Sequence, residues 1–183
     1  MISAALALCR RLSVNRRTQK AGQVTFSTQQ VTKVDEKVIR QLKQEALAAP
    51  GGNIRLCLHR DTDDAVHEMI IVRCKGGYVR PHKHDSQIEA FHIIEGGMLV
   101  VLFDEQGKVT ERFKMREKAT GNCFVCRIEK GRWHTMVPLT EQVVFLETTQ
   151  GPFRAETHNT FPPWAPENDD QAAIDRFMKS ILT

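Results

Sequence analysis

Short runs of alternating apolar and polar residues fill the middle of the chain. Turns rich in Gly and Asp separate these runs, for example at 75–77, 95–97 and 104–107. We predict nine strands from them: 54–60, 68–74, 78–84, 90–94, 98–103, 109–114, 123–128, 132–137 and 143–148. Many short strands at near-regular spacing, with no helices between them, predict an all-β antiparallel sandwich or barrel.

A helical period precedes the strands. Within 31–49, apolar residues recur three or four positions apart, with charged residues between them. Asp35 and Glu36 favour the start of this helix, and the Pro-Gly-Gly sequence at 50–52 ends it. We expect the helix to pack against the barrel.

The pattern changes again after the last predicted strand. Four prolines in 151–166 rule out regular structure there and predict an extended flap lying on the barrel. Asn168 or Asp169 can then cap a final helix that carries apolar residues on one face. The chain therefore divides into a leader (1–30), an N-terminal helix (31–50), a barrel (52–167) and a C-terminal helix (168–183).

Charge is distributed unevenly along the chain. The net charge is +4, yet residues 1–34 contain six Lys or Arg and no acidic residue, which leaves 20 basic and 22 acidic side chains beyond them. The part predicted to fold therefore shows no nucleic-acid footprint. No apolar stretch is long enough to span a bilayer, so we expect no membrane partner.

Cysteine content and the leader bear on the compartment. Five cysteines without a secretory signal favour a reducing compartment, and we expect a cytoplasmic protein. The acid-free, Arg- and Ser-containing leader also matches a mitochondrial transit peptide, which would place the protein in the matrix. A disordered tail, or an upstream start on a bacterial protein, explains the leader equally.

Candidate metal ligands cluster around the third predicted strand. His82 and His84 lie two residues apart, so both imidazoles project from one face of an extended strand. Glu89 follows a short turn later, and His134 comes after a further turn at 129–131. Three imidazoles and one carboxylate suit a single divalent first-row metal ion, with Fe, Mn, Ni, Cu and Zn all left open.

These residues carry a resemblance to a known family. The first cupin motif, G-x5-H-x-H-x4-E-x6-G, is matched at every fixed position: Gly76, His82, His84, Glu89 and Gly96. The second motif keeps its G-x2-H core at Gly131 and His134. It has Glu129 where the family usually has proline and Pro138 where it usually has asparagine. These departures put the shape of that turn in doubt more than the ligand.

Four further segments, 78–84, 101–104, 147–153 and 164–166, resemble the WbuC-type cupin fold metalloproteins. That resemblance implies a metal-binding jelly roll, the double-stranded β-helix of cupins. It also makes a homodimer plausible. The family has no settled reaction, and many of its members sit among surface-polysaccharide genes.

Strand parity suggests which residues surround the metal. Tyr78 and Arg80 share the face of His82 and His84, so both are candidates for the pocket, and Arg80 could hold an anionic substrate group. The alternative is an arginine at the barrel rim, paired with a surface carboxylate.

Other positions are judged by the same parity. Phe91 and Met136 share the parity of Glu89 and His134, respectively, and should form apolar walls. His59 or His67 could act as a base beside the ligands, but each fits an ordinary sheet-edge residue better. The Cys-x-x-Cys sequence at 123–126 lies on a predicted strand, where its thiols point to opposite faces.

Two hypotheses on function follow. The first is a mononuclear metal enzyme, for example an oxygenase, isomerase or lyase, that acts on a small polar molecule; a sugar-related substrate comes only from the family resemblance. The second is a binding module or sensor with the same metal site and no turnover. A metal that only rigidifies the barrel is a third reading.

Overall fold

The computed structural model describes residues 16–18, 23–118 and 121–183. These residues form three α-helices: α1 Glu36–Ala48, α2 Ala155–His158 and α3 Gln171–Leu182. They also form ten strands: β1 Arg16–Thr18, β2 Val24–Ser27, β3 Asn53–Cys57, β4 Val66–Cys74, β5 Glu89–Glu95, β6 Gly97–Phe103, β7 Val109–Arg116, β8 Val125–Ile128, β9 Trp133–Pro138 and β10 Gln142–Gln150. A single 3-10 turn, Pro50–Gly52, links α1 to β3.

The strands make two sheets that face each other. The larger sheet has the order β1-β2-β3-β4-β10-β5-β8, and the smaller has the order β7-β6-β9. All pairings are antiparallel except that of β2 with β3. One core cluster contains apolar side chains from both sheets, including Met69, Phe91 and Phe145 from the larger and Val100 and Met136 from the smaller. The predicted all-β jelly roll is confirmed.

Each sheet is also covered on its outer face by a helix. Helix α1 packs Val38, Leu42 and Ala46 against the outer face of the larger sheet. This explains why Ile70, Ile71 and Val72 in β4 are consecutive and all buried, since a strand covered on both sides has no solvent face. Helix α3 packs on the outer face of the smaller sheet, where Ile181 joins a cluster with β6 and β9.

Aspartate side chains cap the N-termini of α1 and α3. Asp35 caps α1, where its carboxylate accepts a hydrogen bond of 3.0 Å from the amide of Val38. Asp170 caps α3 in the same way through the amide of Ala173 at 2.9 Å. The cap predicted at Asn168 or Asp169 is therefore wrong by one or two residues. None of the helices in the described residues is long and apolar enough to cross a membrane.

Three segments differ from the sequence prediction. Residues 78–84 were predicted as a strand but form only isolated bridges, because Pro81 has no amide hydrogen to continue a ladder. Residues 24–27 fall in the predicted leader but pair with β3, and Phe26 in this strand is buried in the core. The proline-rich segment contains one helical turn, α2, in its proline-free part. Most of the predicted leader, including 1–15 and 19–22, lies outside the described residues.

We predict that Leu42→Ala destabilises the protein by about 3 kcal/mol, since it removes a fully buried side chain between α1 and the larger sheet. Leu47→Ala is the matched control, because Leu47 lies in the same helix and is 64% exposed. Its effect should stay within about 0.5 kcal/mol. Urea unfolding measures both. Equal losses would show that the packing of α1 does not depend on this face.

Candidate metal centre

Backbone hydrogen bonds hold His82 against strand β9 and His84 against the turn that precedes β9. The amide of His82 donates to the carbonyl of His134 at 3.0 Å, and the amide of His134 donates back to the carbonyl of His82 at 2.9 Å. In the turn just before β9, the amide of Gly131 donates to the carbonyl of His84 at 2.7 Å, and Gly131 has a φ of +76°. The second-motif turn therefore forms although Glu129 and Pro138 depart from the family pattern.

The three imidazoles are oriented in the same way. Nδ1 of His82 donates to the carbonyl of Arg80 at 2.9 Å, and Nδ1 of His134 donates to the carbonyl of Arg132 at 2.9 Å. Nδ1 of His84 donates to the carbonyl of His158 at 2.8 Å. A carbonyl can only accept, so each Nδ1 carries the proton, and the neutral ring keeps its lone pair on Nε2.

Glu89 completes the cluster from the start of strand β5. Its Oε2 lies 2.8 Å from Nε2 of His134 and 3.7 Å from Nε2 of His84. Burial disfavours the charged carboxylate, but the adjacent imidazoles of His134 and His84 outweigh burial and hold the pKa of Glu89 well below its usual range. The pocket therefore contains an anionic oxygen beside the imidazole nitrogens.

The four side chains fit a divalent metal ion. One ligand atom from each of His82, His84, Glu89 and His134 lies within 4.8 Å of every other. Ligands bound at about 2.1 Å from one ion lie about 3 to 4 Å apart. Nε2 of His84 is buried without a hydrogen-bond partner among the described residues, which a coordinating ion would resolve. Nitrogen and carboxylate donors also match the preferences of first-row metals.

Burial and neighbouring charge shape the protonation of these rings. Burial, with His134 nearby, lowers the pKa of His82 to about 4, so this ring is neutral at physiological pH. Burial also acts against protonation of His84, but the nearby carboxylate of Glu89 prevails and raises the pKa of His84. A metal ion requires the neutral form of both rings, so binding displaces a proton wherever one is present.

A cavity of about 330 Å³ opens beside the cluster, and three of its four residues, His82, His84 and Glu89, line it. Tyr78, Arg80 and Met136, three of the four predicted substrate-binding residues, line it. The fourth, Phe91, lies deeper in the core, where its ring meets that of Phe145 edge to face at 5.6 Å. That these residues bind a substrate stays a prediction.

Arg80 has a partner of its own at the mouth of the cavity. Its two terminal nitrogens pair with the carboxylate of Glu167 at 2.5 and 2.8 Å, and its guanidinium lies 4.8 Å from the ring centre of Phe161. Nearby, the hydroxyl of Tyr78 donates to the carbonyl of Pro166 at 3.1 Å. Both residues therefore tie the C-terminal segment to the cavity mouth.

The cavity also holds ionisable residues that sequence reasoning missed. Glu147 on β10 is 7% exposed, and burial together with Glu89 raises its pKa to about 7. Arg55 on β3 and Arg73 on β4 line the same cavity, as does His158 at the end of α2. The alternation of residues along the predicted strand 143–148 could have indicated that Glu147 points into the barrel. The position of His158, in contrast, depends on how the proline-rich segment folds back onto the barrel.

His59 and His67 form a stacked pair, with ring centroids 4.1 Å apart and planes only 5° from parallel. His67 is buried and lines the cavity, and its Nε2 has no hydrogen-bond partner among the described residues. His67 is therefore not the ordinary sheet-edge residue that the sequence favours.

Cys123 and Cys126 are both free thiols.

One family model matches part of the chain. A family model described as "Domain of unknown function (DUF6016)" matches residues 34–115. That range includes His82, His84 and Glu89 but not His134. None of the curated proteins matches the chain.

Several solved structures are similar at low identity. An oxalate decarboxylase from Lactobacillus farciminis aligns at 18% identity and a TM-score of 0.42, over 54% of this chain and 27% of the decarboxylase. KdgF from Halomonas sp. aligns at 15% identity and a TM-score of 0.45, over 58% and 84% of the two chains. The cupin domain of Schizosaccharomyces pombe Cnp3 aligns at 17% identity and a TM-score of 0.41, over 54% and 64%.

The match with the oxalate decarboxylase thus spans only about a quarter of that protein's length. The fold assignment stands instead on the two facing sheets and on the convergence of both sequence motifs inside them. The chain has a jelly-roll fold of two facing sheets. Its candidate metal centre consists of His82, His84, Glu89 and His134.

The lowered pKa of His158 should make the stability of the metal-free protein depend on pH. Burial, with His84 nearby, lowers this pKa from 6.5 to about 4. Between these values the unfolded chain binds a proton that the folded chain does not, so the free energy of unfolding falls as the pH is lowered. His158→Gln should reduce the loss measured by urea unfolding near pH 7.5 and near pH 5.

His92→Gln is the control for this prediction, since His92 is exposed on β5. It should leave the pH dependence as in the wild type. If His158→Gln behaves like His92→Gln, the ring of His158 is not the source of the acid sensitivity.

Proposed function

We propose that the protein is a mononuclear metalloenzyme that acts on a small polar molecule. Three imidazoles and one carboxylate converge on one point, and His82, His84 and Glu89 of this cluster line a cavity that is open to a ligand; this observation carries the proposal. His82, His84, Glu89 and His134 would hold the ion. Four protein ligands leave two positions for water or substrate if the ion prefers six-coordination.

A divalent ion bound here would supply Lewis-acid chemistry or, if it is iron, dioxygen chemistry. The protein's own groups would do the rest. The carbonyls that bind each Nδ1 fix the rings, and Met69 and Met136 provide apolar wall. With its pKa raised to about 7, Glu147 can take up or release a proton near neutral pH inside the same cavity.

Finer parts of the proposal rest on the family resemblance alone. A WbuC-type relationship supports a sugar-related substrate and a homodimer, and the cysteine content supports a cytoplasmic location. These expectations follow from the segments 78–84, 101–104, 147–153 and 164–166 and from the five cysteines of the chain.

A binding or sensing module is the second candidate function. It is favoured by the contacts at the cavity mouth, where Arg80 pairs with Glu167 and Tyr78 bonds to Pro166. Through these contacts a ligand in the cavity could alter the C-terminal segment without being converted. Such a protein would retain its ligand unchanged.

We predict that the natively purified protein contains close to one equivalent of a divalent metal and that the double variant His82→Ala, His84→Ala contains almost none. The variant should keep the fold, because the core between the sheets forms without the ligands. Elemental analysis measures the metal, and far-UV circular dichroism checks the fold. His92→Ala, which removes an exposed imidazole, is the control. A folded double variant with full metal content would refute the site.

A thermal-shift screen with organic acids and sugar nucleotides separates the two candidate functions. Any compound that stabilises the metal-loaded protein is then incubated with it, and the mixture is analysed for products. Conversion of a stabilising compound supports the enzyme. Stabilisation without product for every such compound supports the sensor.

A further inference from the structure

Two half-buried arginines lie in the same cavity as the candidate metal ligands. Arg55 projects from β3 and Arg73 from β4, both on the inner face of the larger sheet. The Nε atom of each is buried without a hydrogen-bond partner. Within the described part of the chain, neither guanidinium makes an ion pair with a carboxylate.

A half-buried cation whose Nε atom has no partner is unfavourable, so these two arginines need an explanation. Taking part of a charge out of water is costly unless a partner of opposite charge replaces the water. Burial lowers the pKa of Arg73 only to about 10, so the side chain stays positive at neutral pH. Glu147 is the carboxylate whose charge acts on both, and it can neutralise at most one of them.

The charge of the whole cavity is therefore positive once the metal site is filled. The ion would contribute two charges and each guanidinium one, while Glu89 removes one and Glu147, with a pKa of about 7, removes at most one; Arg80 and Glu167 cancel as a pair. The remaining charge of about plus two has no counterpart among the described lining residues. An anionic ligand would supply the missing negative charge.

We propose that Arg55 and Arg73 form an anion subsite, so that the natural ligand is a small organic molecule with two anionic groups. One group would coordinate the metal, and the second, a carboxylate or a phosphate, would lie at the guanidiniums. Guanidinium groups pair with both kinds of anion through parallel hydrogen bonds. This inference rests on the proposed function, because the first anionic group needs the metal.

The cavity limits the size of this ligand. Its volume of about 330 Å³ is near the lower end of the range for small-molecule sites. At about 30 Å³ for each water-sized unit, it holds a molecule of about ten non-hydrogen atoms. Met69, Met136 and Phe153 provide its apolar wall. A short acid with a second charged end therefore fits better than a polymer.

Matched probes test the subsite directly. Lactate and malate present the same 2-hydroxycarboxylate to a metal, but only malate adds a second carboxylate; 3-phosphoglycerate adds a phosphate instead. Isothermal titration of the manganese-loaded protein should show malate or 3-phosphoglycerate binding at least about tenfold more tightly than lactate, as expected for charge-assisted hydrogen bonds. The tighter of the two identifies the anionic group preferred at the guanidiniums.

Variants at the two arginines then assign the preference. Arg55→Gln and Arg73→Gln should each reduce the affinity for the dianion towards that for lactate and leave lactate within about twofold. Arg55→Lys, which keeps the charge, should retain part of the preference. Arg112→Gln is the control, since Arg112 is exposed on β7. A preference that persists in both glutamine variants, or a wild type that binds all probes equally, overturns the subsite.

A metal-free arm separates this inference from the proposed function. Inorganic phosphate should raise the melting temperature of the chelator-treated wild type, and should do so less in Arg55→Gln. If the protein binds no metal but phosphate still stabilises it through Arg55, the proposed function fails and the subsite stands. If metal binds normally and phosphate stabilises wild type and Arg55→Gln equally, the subsite fails alone.

Discussion

The backbone pairing of His82 with His134 is the contact on which the candidate site depends. Two reciprocal hydrogen bonds, of 3.0 and 2.9 Å, join positions 52 residues apart and place the two sequence motifs side by side. The amide of Gly131 adds a third bond to the carbonyl of His84. Because these bonds use the backbone, the imidazoles remain free for coordination, and their Nδ1 protons are held by carbonyls.

The stability of the fold comes from the rest of the jelly roll and not from the segment that carries His82 and His84. Its core between the sheets and the two helices on its outer faces bury apolar side chains without help from the site. The barrel can therefore tolerate several charged groups on the inner face of the larger sheet, among them Glu89, Glu147, Arg55 and Arg73. Such groups are costly in a core, and their collection around one cavity indicates that the cavity is built to receive charge.

The pattern of the sequence was sufficient for the fold and for the ligands. Eight of the nine predicted strands have a counterpart, because their alternating pattern and the Gly- and Asp-rich turns between many of them are local signals. The exception was 78–84, where Pro81 prevents a continuous ladder. The four ligand candidates were predicted together because His82, His84 and Glu89 have the spacing of the first cupin motif, and His134 lies in the G-x2-H core of the second. Phe26 shows the opposite case, since its burial depends on pairing between β2 and β3, which no local pattern encodes.

The sequence by itself thus determined the type of element, the apolar faces and the identity of the candidate ligands, since these follow from the period and spacing of nearby residues. The tertiary structure decided which distant charges share the cavity. Arg55, Arg73 and Glu147 come from three different strands, and His158 comes from a segment that folds back after the last strand. Their meeting depends on sheet order and chain reversal, and these are set by the packing of the whole barrel.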